Sequence, residues 1–533
     1  MRRWNGWGDT SVDYPLPESA LSFLIERLGQ GATSDDAALE SVLARFPESR
    51  LQTLAGVSTD PLPRLLHTHG QSLPDWIALR SGRIGPAPDG ITYPKTYEQV
   101  REILSQAQQR GLQVIPFGGG TSVVGHINPS PQDAPVLTID MTHMNQLVAL
   151  DEISRLAIFE AGAKGPTIEN RLSEHGYTLG HYPQSWEFST LGGWVVTRST
   201  GQQSYHYGRI EDLFAGGSLE TPQGTLPLPN LPASAAGPDL KQLVLGSEGR
   251  LGVLTEAAVR IQPRPEREDF YGIFFRSWEQ GLEAARSIAQ ARIAVSMIRL
   301  SDAEETLTTL ALAGNPQLIG LASFLLHALG AGEEKCLMIL GITSKRATWT
   351  EKKASAMEIL RSHGGIATGT MIGKQWCKSR FRSPYLRNTL WEHGYALDTL
   401  ESAVPWSAVA ALRKALLGSL EGVFQSSVVP LLHFSHLSHV YPDGASIYVT
   451  YLYPRQQSPD ETLALWRAAK DAASKAIVSH QGTISHQHGL GVDHLPYVQF
   501  EKSTLGIQAL RTLSQSFDPL GIMNPGKGWT QSD

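Results

Sequence analysis

The residues best suited to chemistry begin with three consecutive glycines followed by two hydroxyl side chains. A strand-like stretch, residues 113–116, leads directly into Gly118-Gly119-Gly120-Thr121-Ser122. Glycine tolerates positive φ and close backbone approach, so successive N–H groups can converge on an anion such as a pyrophosphate. The third glycine of a dinucleotide fingerprint and the Gly-Lys-Ser/Thr of a Walker loop are missing. On this motif alone, a tight structural turn is an equally good interpretation.

Three further segments also combine glycine with hydroxyl and aromatic side chains. They cover residues 180–194, residues 197–213 and residues 246–255. Glycine allows the backbone to approach a ligand closely, and serine and threonine hydroxyls can donate hydrogen bonds to it. Four such segments, separated along the chain, favour a shared binding site over four unrelated turns.

Composition excludes several classes of protein. The 533 residues predict two to four domains of about 150 residues each. Lys and Arg number 45 against 51 Asp and Glu, for a formal net charge of −6, so no basic surface for nucleic acid is expected. The two cysteines, Cys336 and Cys377, have no metal-ligand spacing and cannot form a disulfide scaffold, which indicates a reducing compartment.

The sequence contains no pattern of a secretory signal or a membrane span. Two arginines follow Met1, but no apolar segment comes after them. The most apolar stretch, residues 318–329, is interrupted by Ser323 and His327 and is shorter than the ~20 residues that span a bilayer. We therefore expect a cytoplasmic protein in which this stretch is a buried or interfacial helix.

The secondary-structure pattern positions these motifs in two units. Periodicity and capping residues predict helices at residues 20–28, 97–109, 278–290, 350–363 and 463–480. Strands are predicted at residues 113–116, 136–140, 156–160, 252–261, 270–275 and 337–342. Alternating helices and strands with glycine turns indicate an α+β or α/β domain that ends near Pro263-Arg264-Pro265. A second unit follows from residue 266.

The four glycine segments together resemble the FAD-binding superfamily of the vanillyl-alcohol oxidase (PCMH) type and, within it, the alkyldihydroxyacetonephosphate synthase family. The resemblance covers nearly the whole chain and includes residues 4–8, 69–75, 298–302, 384–387, 399–406, 441–448 and 484–489. It implies an α+β fold, with a two-subdomain FAD-binding domain and an α/β cap domain. The implied division is a helical region (1–84), the FAD-binding domain (85–265), the cap or substrate domain (266–475) and a C-terminal return segment completing the flavin site (476–533).

The resemblance implies that FAD contacts all four segments. The implied contacts are Pro116, Phe117, Gly118, Gly119, Gly120, Thr121, Ser122, Gln184, Ser185, Trp186, Glu187, Phe188, Ser189, Thr190, Thr197, Arg198, Ser199, Thr200, Glu248, Gly249, Arg250, Leu251, Gly252, Val253 and Leu254. Glycine backbones would then cradle the pyrophosphate. No histidine stands within residues 118–122, where relatives attach flavin covalently, so non-covalent FAD is expected.

The implied reaction replaces the acyl group of acyl-dihydroxyacetone phosphate with a fatty alcohol, a step of ether lipid synthesis in which flavin resembles a covalent catalyst. The alternative is an FAD-linked 2-hydroxyacid dehydrogenase, whose relatives carry a metal site built from a His-x6-His pair and a Glu-His pair. Here Tyr448 replaces the second histidine after His439, and Gln487 replaces the glutamate. A protonated phenol and a neutral amide are poor metal ligands, so we expect no metal and favour the synthase.

Four catalytic residues follow from the resemblance. Tyr448 matches the tyrosine assigned as acid or base, His486 and His488 match the ends of a three-histidine run, and His181 matches another active-site histidine. Tyr448 lies in a strand-like stretch, and without the resemblance a core tyrosine with a satisfied hydroxyl would be the better interpretation.

Two arginines are the implied substrate-binding residues. Arg387 matches the arginine that binds the substrate phosphate, for which a planar guanidinium is well suited, and Arg299 matches an arginine linked to activity. Arg387 could equally be a solvated helix charge. His433, His436 and His439 look like a metal cluster, but their i, i+3 spacing in a strand or loop is not expected to converge.

Three departures from the family pattern keep the oxidoreductase hypothesis as an alternative. Gln487 replaces the middle histidine of the run, Gln184 replaces an acidic residue, and residues 524–527 (NPGK) look more like the dehydrogenase branch. A flavin-free binding or scaffold protein is a third hypothesis. The expected partners are a small lipid phosphate, peripheral contact with a membrane and, from the relatives, a second copy in a homodimer.

Overall fold

The structure is a computed structural model that describes residues 1–33, 35–51, 54–131, 133–312 and 331–529. The described helices are α1 (Glu18–Leu28), α2 (Leu39–Ala44), α3 (Pro61–Leu66), α4 (Leu73–Ser81), α5 (Tyr97–Arg110), α6 (Gly165–Glu174), α7 (Leu191–Thr197), α8 (Ser204–Tyr207), α9 (Ile210–Leu213), α10 (Lys241–Val244), α11 (Trp278–Gln290), α12 (Ala303–Leu312), α13 (Arg346–Ser362), α14 (Met371–Ser379), α15 (Ser383–Glu392), α16 (Trp406–Ser426), α17 (Pro459–Ser479) and α18 (Val498–Phe517). Two short 3-10 helices cover Met141–His143 and Leu495–Tyr497.

The strands form three main sheets and one short pair. They are β1 (Val57–Ser58), β2 (Gly90–Thr92), β3 (Gln113–Phe117), β4 (Val136–Asp140), β5 (Leu147–Asp151), β6 (Leu156–Glu160), β7 (Tyr177–Thr178), β8 (Phe214–Thr221), β9 (Gly224–Leu228), β10 (Val253–Arg260), β11 (Gln262–Pro263), β12 (Arg267–Phe275), β13 (Met297–Ser301), β14 (Cys336–Ser344), β15 (Ile366–Ala367), β16 (Tyr395–Pro405), β17 (Leu432–Val440) and β18 (Gly444–Pro454). Their orders are β1-β2-β4-β3, β5-β6-β10-β8-β9, β11-β7 and β15-β12-β14-β13-β17-β18-β16.

The first sheet carries the glycine loop at the end of β3. Strands β2, β3 and β4 are parallel, and α5 buries Val100, Leu104 and Ala107 in the core beside them. The hydroxyl of Thr96 caps α5 by accepting a hydrogen bond from the N–H of Gln99, as its sequence predicts. The second sheet is antiparallel throughout, so mixed sheets and helices give the predicted α+β fold.

The seven-stranded cap sheet has two chemically different faces, because side chains alternate along each strand. One face packs on helices and contains Leu300, Leu340, Leu437 and Ile447. The opposite face carries the residues between them, among them the polar side chains of β13, β17 and β18. One extra residue between Leu437 and Val440 shifts the register of β17 against β18, which is a β-bulge.

Residues far along the chain extend the first sheet. The N–H of Val114 donates to the carbonyl of Ile522, and the N–H of Asn524 donates back to the carbonyl of Val114 at 2.7 Å. The Lys527 amine is fully buried and donates to the carbonyl of Asn128 at 2.6 Å. The loop after β3 is therefore held in part by residues 522–527.

Most predicted elements are confirmed within one to four residues at each end. The predicted helix at residues 278–290 and the strands at 136–140 and 156–160 have the predicted limits. Helix α18 is missed by the sequence analysis, because its exposed Phe500 and Leu505 break the apolar pattern expected of a packed helix. The limits of the four predicted domains stay a prediction.

The membrane-related prediction is only partly addressed by the fold. The predicted apolar helix at residues 318–329 lies outside the described residues. None of the described helices combines the length and the hydropathy needed to cross a lipid bilayer.

Candidate active site

A cavity of about 1260 Å³ lies between the glycine loop and the polar face of the cap sheet. We call it the central cavity; its walls include residues 116–123, residues 183–202 in part, residues 248–254 in part and alternate residues of five cap strands. Ligand pockets usually measure about 300–1,000 Å³, so this cavity has room for a large cofactor and a second molecule.

The glycine loop approaches the neighbouring backbone too closely for any side chain. A Cβ atom on Gly118 would lie 2.3 Å from the hydroxyl of Thr190, and one on Gly119 would lie 2.0 Å from the carbonyl oxygen of Phe188. Gly120 has a φ of +65°, which strains other residues. These glycines are therefore required by close packing and conformation, and they leave backbone groups facing the central cavity.

Nineteen of the predicted cofactor residues line the central cavity, and six do not. The lining residues are Pro116, Phe117, Gly118, Gly119, Gly120, Thr121, Ser122, Gln184, Ser185, Ser189, Thr190, Thr197, Ser199, Thr200, Glu248, Gly249, Gly252, Val253 and Leu254. The other six are Trp186, Glu187, Phe188, Arg198, Arg250 and Leu251. Arg250, for example, stacks over Trp529 at 3.5 Å and lies 3.6 Å from the carboxylate of Glu248.

Three residues that line the central cavity each have a buried polar atom without a partner, which suits a site for a polar ligand. The hydroxyl of Thr200, the amide oxygen of Gln202 and the amide oxygen of Asn524 are buried without a hydrogen-bond partner in the described part of the chain. All three residues line the cavity. The Asn524 amide nitrogen donates to the carbonyls of Glu248 and His126, so the amide oxygen of Asn524 points away from these two carbonyls. FAD has donors and hydroxyls that fit such groups.

Tyr448 lines the central cavity between two imidazole rings. It projects from β18, its ring stacks on His436 at 4.8 Å between centroids, and the ring of His488 lies 6.0 Å away at its edge. Burial, together with the negative charges of Glu401 and Asp398, raises the pKa of the Tyr448 phenol. The phenol is therefore protonated at neutral pH and able to donate.

His488 also lines the cavity and is held in its neutral form. Burial lowers the pKa of its imidazole to about 4, since the nearby carboxylates offset only part of the cost of charging a ring away from water. A neutral imidazole offers one donor and one acceptor to a ligand. Tyr448 and His488 are thus the two predicted catalytic residues that the fold brings to one wall.

His181 and His486 are not among the residues that line the central cavity. His181 is buried against Trp194, its Nε2 lies 3.2 Å from the hydroxyl of Ser199, and burial lowers the pKa of its ring to about 3. His486 lies directly behind the wall, where its ring is bonded to other side chains. Their predicted catalytic roles stay predictions, and any such role would be exerted through neighbours.

The two predicted substrate-binding arginines both line the cavity but differ in their free donors. Arg299 is paired with Glu305 at 2.6 Å and also contacts the ring of His436. Arg387 donates through Nη1 to the carbonyl of Gln71, while its Nε and Nη2 are buried without a partner in the described residues. Nε and Nη2 form one edge of the guanidinium fork, which can bind two oxygens of a phosphate. Arg387 is therefore the better phosphate ligand.

Glu401, His439 and His486 form the one group of described residues whose ligand atoms lie close enough for a metal ion, within 4.8 Å of one another. The β-bulge in β17 turns His439 to this side. The Nε2 of His486, however, lies 2.6 Å from the hydroxyl of Tyr441 and 3.1 Å from the guanidinium of Arg209. A cation next to a guanidinium would be repelled, so the cluster suits hydrogen bonding better than metal binding. The absence of a metal stays a prediction.

Sequence reasoning missed several residues of this wall. Phe434, His436 and Ser438 line the cavity from β17, and Asn524 and Gln202 line its cofactor end. The alternation of residues 434, 436 and 438 is the available signal, because residues two apart on a strand share a face. The bulge that adds His439 to this face leaves no mark in the sequence.

Known protein families and solved structures match this chain. Residues 88–227 match a family model described as FAD binding domain, and residues 264–528 match one described as FAD linked oxidases, C-terminal domain. The alkyldihydroxyacetonephosphate synthase of Dictyostelium discoideum is 33% identical and covers 98% of this chain and 93% of its own length. The enzyme of the same name from Trypanosoma brucei brucei is 28% identical, covering 98% and 92%.

A solved structure of an alkyldihydroxyacetonephosphate synthase has the same fold, with a TM-score of 0.85, 29% identity and coverage of 99% of this chain and 98% of its own. The predicted FAD-binding fold and the prediction of FAD as cofactor are thereby confirmed. The chain belongs to the alkyldihydroxyacetonephosphate synthase family of FAD-dependent enzymes.

Proposed function

We propose that this protein is an FAD-dependent transferase that exchanges the acyl group of acyl-dihydroxyacetone phosphate for a fatty alcohol, a step of ether lipid synthesis. The observation that carries this proposal is that Tyr448 and Arg387, two of whose donors have no partner in the described residues, line the same cavity as the glycine loop. A phosphate ligand, a proton donor and a flavin site are the three components that the reaction requires.

In this proposal the chain's own residues bind the substrate and move protons. When bound, FAD supplies covalent catalysis at its ring with no net change of oxidation state. Arg387 binds the phosphate of the substrate through two charge-assisted hydrogen bonds. Tyr448 donates its proton to the departing carboxylate and regains one from the incoming alcohol. One C–O bond is broken and another is formed, and the fatty acid leaves.

An apolar part of the central cavity supports a lipid substrate. Met297, Leu337, Ile339, Leu397 and Phe434 line it from the cap sheet. Burying apolar surface is worth about 25 cal/mol per Å², so a long alkyl chain gains substantial affinity from such a wall. A small 2-hydroxyacid would leave this surface uncovered.

We also propose peripheral contact with a membrane and, on the family resemblance alone, a homodimer. Helix α14 supports the membrane contact, because its exposed Met371, Lys374 and Lys378 all border the central cavity. Apolar and basic side chains on one short surface segment suit an anionic lipid surface. A lipid substrate could then pass from the membrane into the cavity.

The test of the function supplies acyl-dihydroxyacetone phosphate and labelled long-chain alcohol to the purified protein. We expect labelled ether product, with free fatty acid released in equal amount. A parallel anaerobic experiment adds D-2-hydroxyacids and follows the flavin absorbance. Bleaching by a hydroxyacid without any ether product would replace the transferase with the oxidoreductase.

Non-covalent FAD is the first prediction for the cofactor. His126 lies closest in sequence to the glycine loop, but its Nδ1 is bonded to Ser122 at 2.8 Å and its Nε2 lies 3.2 Å from Glu248. Acid precipitation should therefore leave all yellow flavin in the supernatant, as measured by absorbance. Flavin that stays on the precipitated chain would contradict the prediction.

Tyr448→Phe is predicted to keep FAD and lose turnover. The phenol is the proton donor, and removing a general acid costs typically 10²–10⁴-fold in rate. The measurement is kcat for ether formation together with the flavin content of the variant. Tyr453→Phe is the matched control, since Tyr453 lies on the same strand and bonds the carbonyl of Thr462 away from the cavity. Turnover of Y448F close to that of the wild type would refute the role.

Arg387→Met is predicted to raise KM for the phosphate substrate. Losing two charge-assisted hydrogen bonds should reduce kcat/KM at least about a hundredfold. Thermal stability should not fall, because the guanidinium is buried with two unpaired donors. Arg361→Met is the control, because Arg361 is exposed on the surface of α13. An unchanged KM for acyl-dihydroxyacetone phosphate in R387M would assign the phosphate to another residue.

A further inference from the structure

Glu401 is a buried carboxylate without a lysine or arginine partner. Its side chain is 1% exposed, and among the described residues no lysine or arginine lies within ion-pair distance of it. It accepts hydrogen bonds from Ser438 and from the amide of Gln487 at 2.6 Å, and the Nδ1 of His486 lies 3.1 Å away. Burying a carboxylate is costly unless its hydrogen bonds are satisfied, so a position like this needs an explanation.

The imidazoles around Glu401 differ in how they act on it. Burial lowers the pKa of His439 to about 3 and that of His488 to about 4, so both rings are neutral at working pH. The guanidinium of Arg209 lies 3.1 Å from the Nε2 of His486 and can only donate, so Nε2 is an acceptor and the proton is on Nδ1, the nitrogen nearer Glu401. Burial opposes ionisation of Glu401, but the adjacent imidazole of His486 holds the pKa of this carboxyl well below its usual range.

The contact with Gln487 fixes the direction of an amide at the cavity wall. A carboxylate can only accept hydrogen bonds, so the nitrogen of the Gln487 amide must face Glu401. Gln487 lines the central cavity, and its Oε1 has no partner among the described residues. Gln487 therefore presents a hydrogen-bond acceptor, with no titratable group, beside Tyr448 and His488.

We propose that Glu401 is a positioning residue that orients the Gln487 amide so that its Oε1 accepts a hydrogen bond from the hydroxyl of the incoming alcohol. This inference rests on the proposed function, because it assigns a place to the second substrate. Strands β16 and β18 pair Glu401 directly opposite Tyr448, so both side chains lie on the same face of the sheet. An alcohol hydroxyl bound at Gln487 is then next to the phenol that exchanges its proton.

The choice of glutamate over glutamine at position 401 is the testable feature. A glutamine there has the same size but can donate or accept, so it would let the Gln487 amide turn over and present its nitrogen. Glu401→Gln should therefore weaken alcohol binding without a change of shape. One lost hydrogen bond is worth roughly 1 kcal/mol, which corresponds to about a five- to tenfold change.

The experiment measures KM for both substrates, FAD content and the change in flavin absorbance on titration with hexadecanol in detergent. We expect E401Q to keep FAD and its KM for acyl-dihydroxyacetone phosphate within twofold, with KM and Kd for the alcohol raised about tenfold. Glu220→Gln is the matched control, because Glu220 is equally buried, bonds Thr225 and lies in the second sheet. E220Q should leave both alcohol constants unchanged.

Gln487→Met removes the amide and tests the same link. Q487M should raise the alcohol KM like E401Q, and the double variant should be no worse than Q487M within about twofold. An unchanged alcohol affinity in E401Q would overturn the proposal. It would also be overturned if adding E401Q to Q487M lowered the alcohol affinity by as much as E401Q does alone. If E401Q loses FAD, the hexadecanol titration of Q487M is the deciding measurement. A Q487M variant that binds hexadecanol as tightly as the wild type would then overturn the proposal.

Failure of the proposed function and failure of the positioning role of Glu401 give different experimental results. Wild-type protein that binds hexadecanol through Glu401 and Gln487 but forms no ether would refute the transferase and leave the alcohol site in place. Ether formation with alcohol constants insensitive to both variants would support the transferase and refute the positioning role.

Discussion

The alternation of side chains along the cap strands is the constraint on which the site depends. One face of the seven-stranded sheet packs on helices through Leu300, Leu340 and Ile447, so the residues between them must face the central cavity. Burial of the apolar face fixes the register, because a slip of one residue would reverse both faces. The position of Tyr448 is therefore decided by the packing of its neighbours in the sequence.

Polar groups on the cavity face must be satisfied inside the protein, and this requirement organises the chemistry. Arg299 is hydrogen-bonded to Glu305, and Glu401 accepts hydrogen bonds from Ser438 and from the amide nitrogen of Gln487. Arg387 differs because two of its donors are unpartnered. Since an unpaired buried donor costs about 1–3 kcal/mol, the two unpartnered donors mark Arg387 as a ligand-binding group.

The sequence predicts many of the regular elements and a shared site for the glycine segments, but not the details of the cavity wall. Strong periodicity and a capping threonine predict α5, and the glycines at 118–120 predict the loop that their close contacts require. His486 and its neighbour Gln487 cannot be told apart by pattern, although only Gln487 lines the cavity. The bulge that turns His439 inward depends on long-range strand pairing, which carries no local signal.

The hydrogen bonds that join Val114 to residues 522 and 524 have a consequence for how the protein folds. They link segments about 400 positions apart, and contacts of such long sequence separation slow folding because a large loop must close first. The edge of β3 therefore stays open on the ribosome until most of the polypeptide has been synthesised. Capture of FAD is then a late event in biogenesis, and the nascent chain has an unpaired strand edge for chaperones to protect.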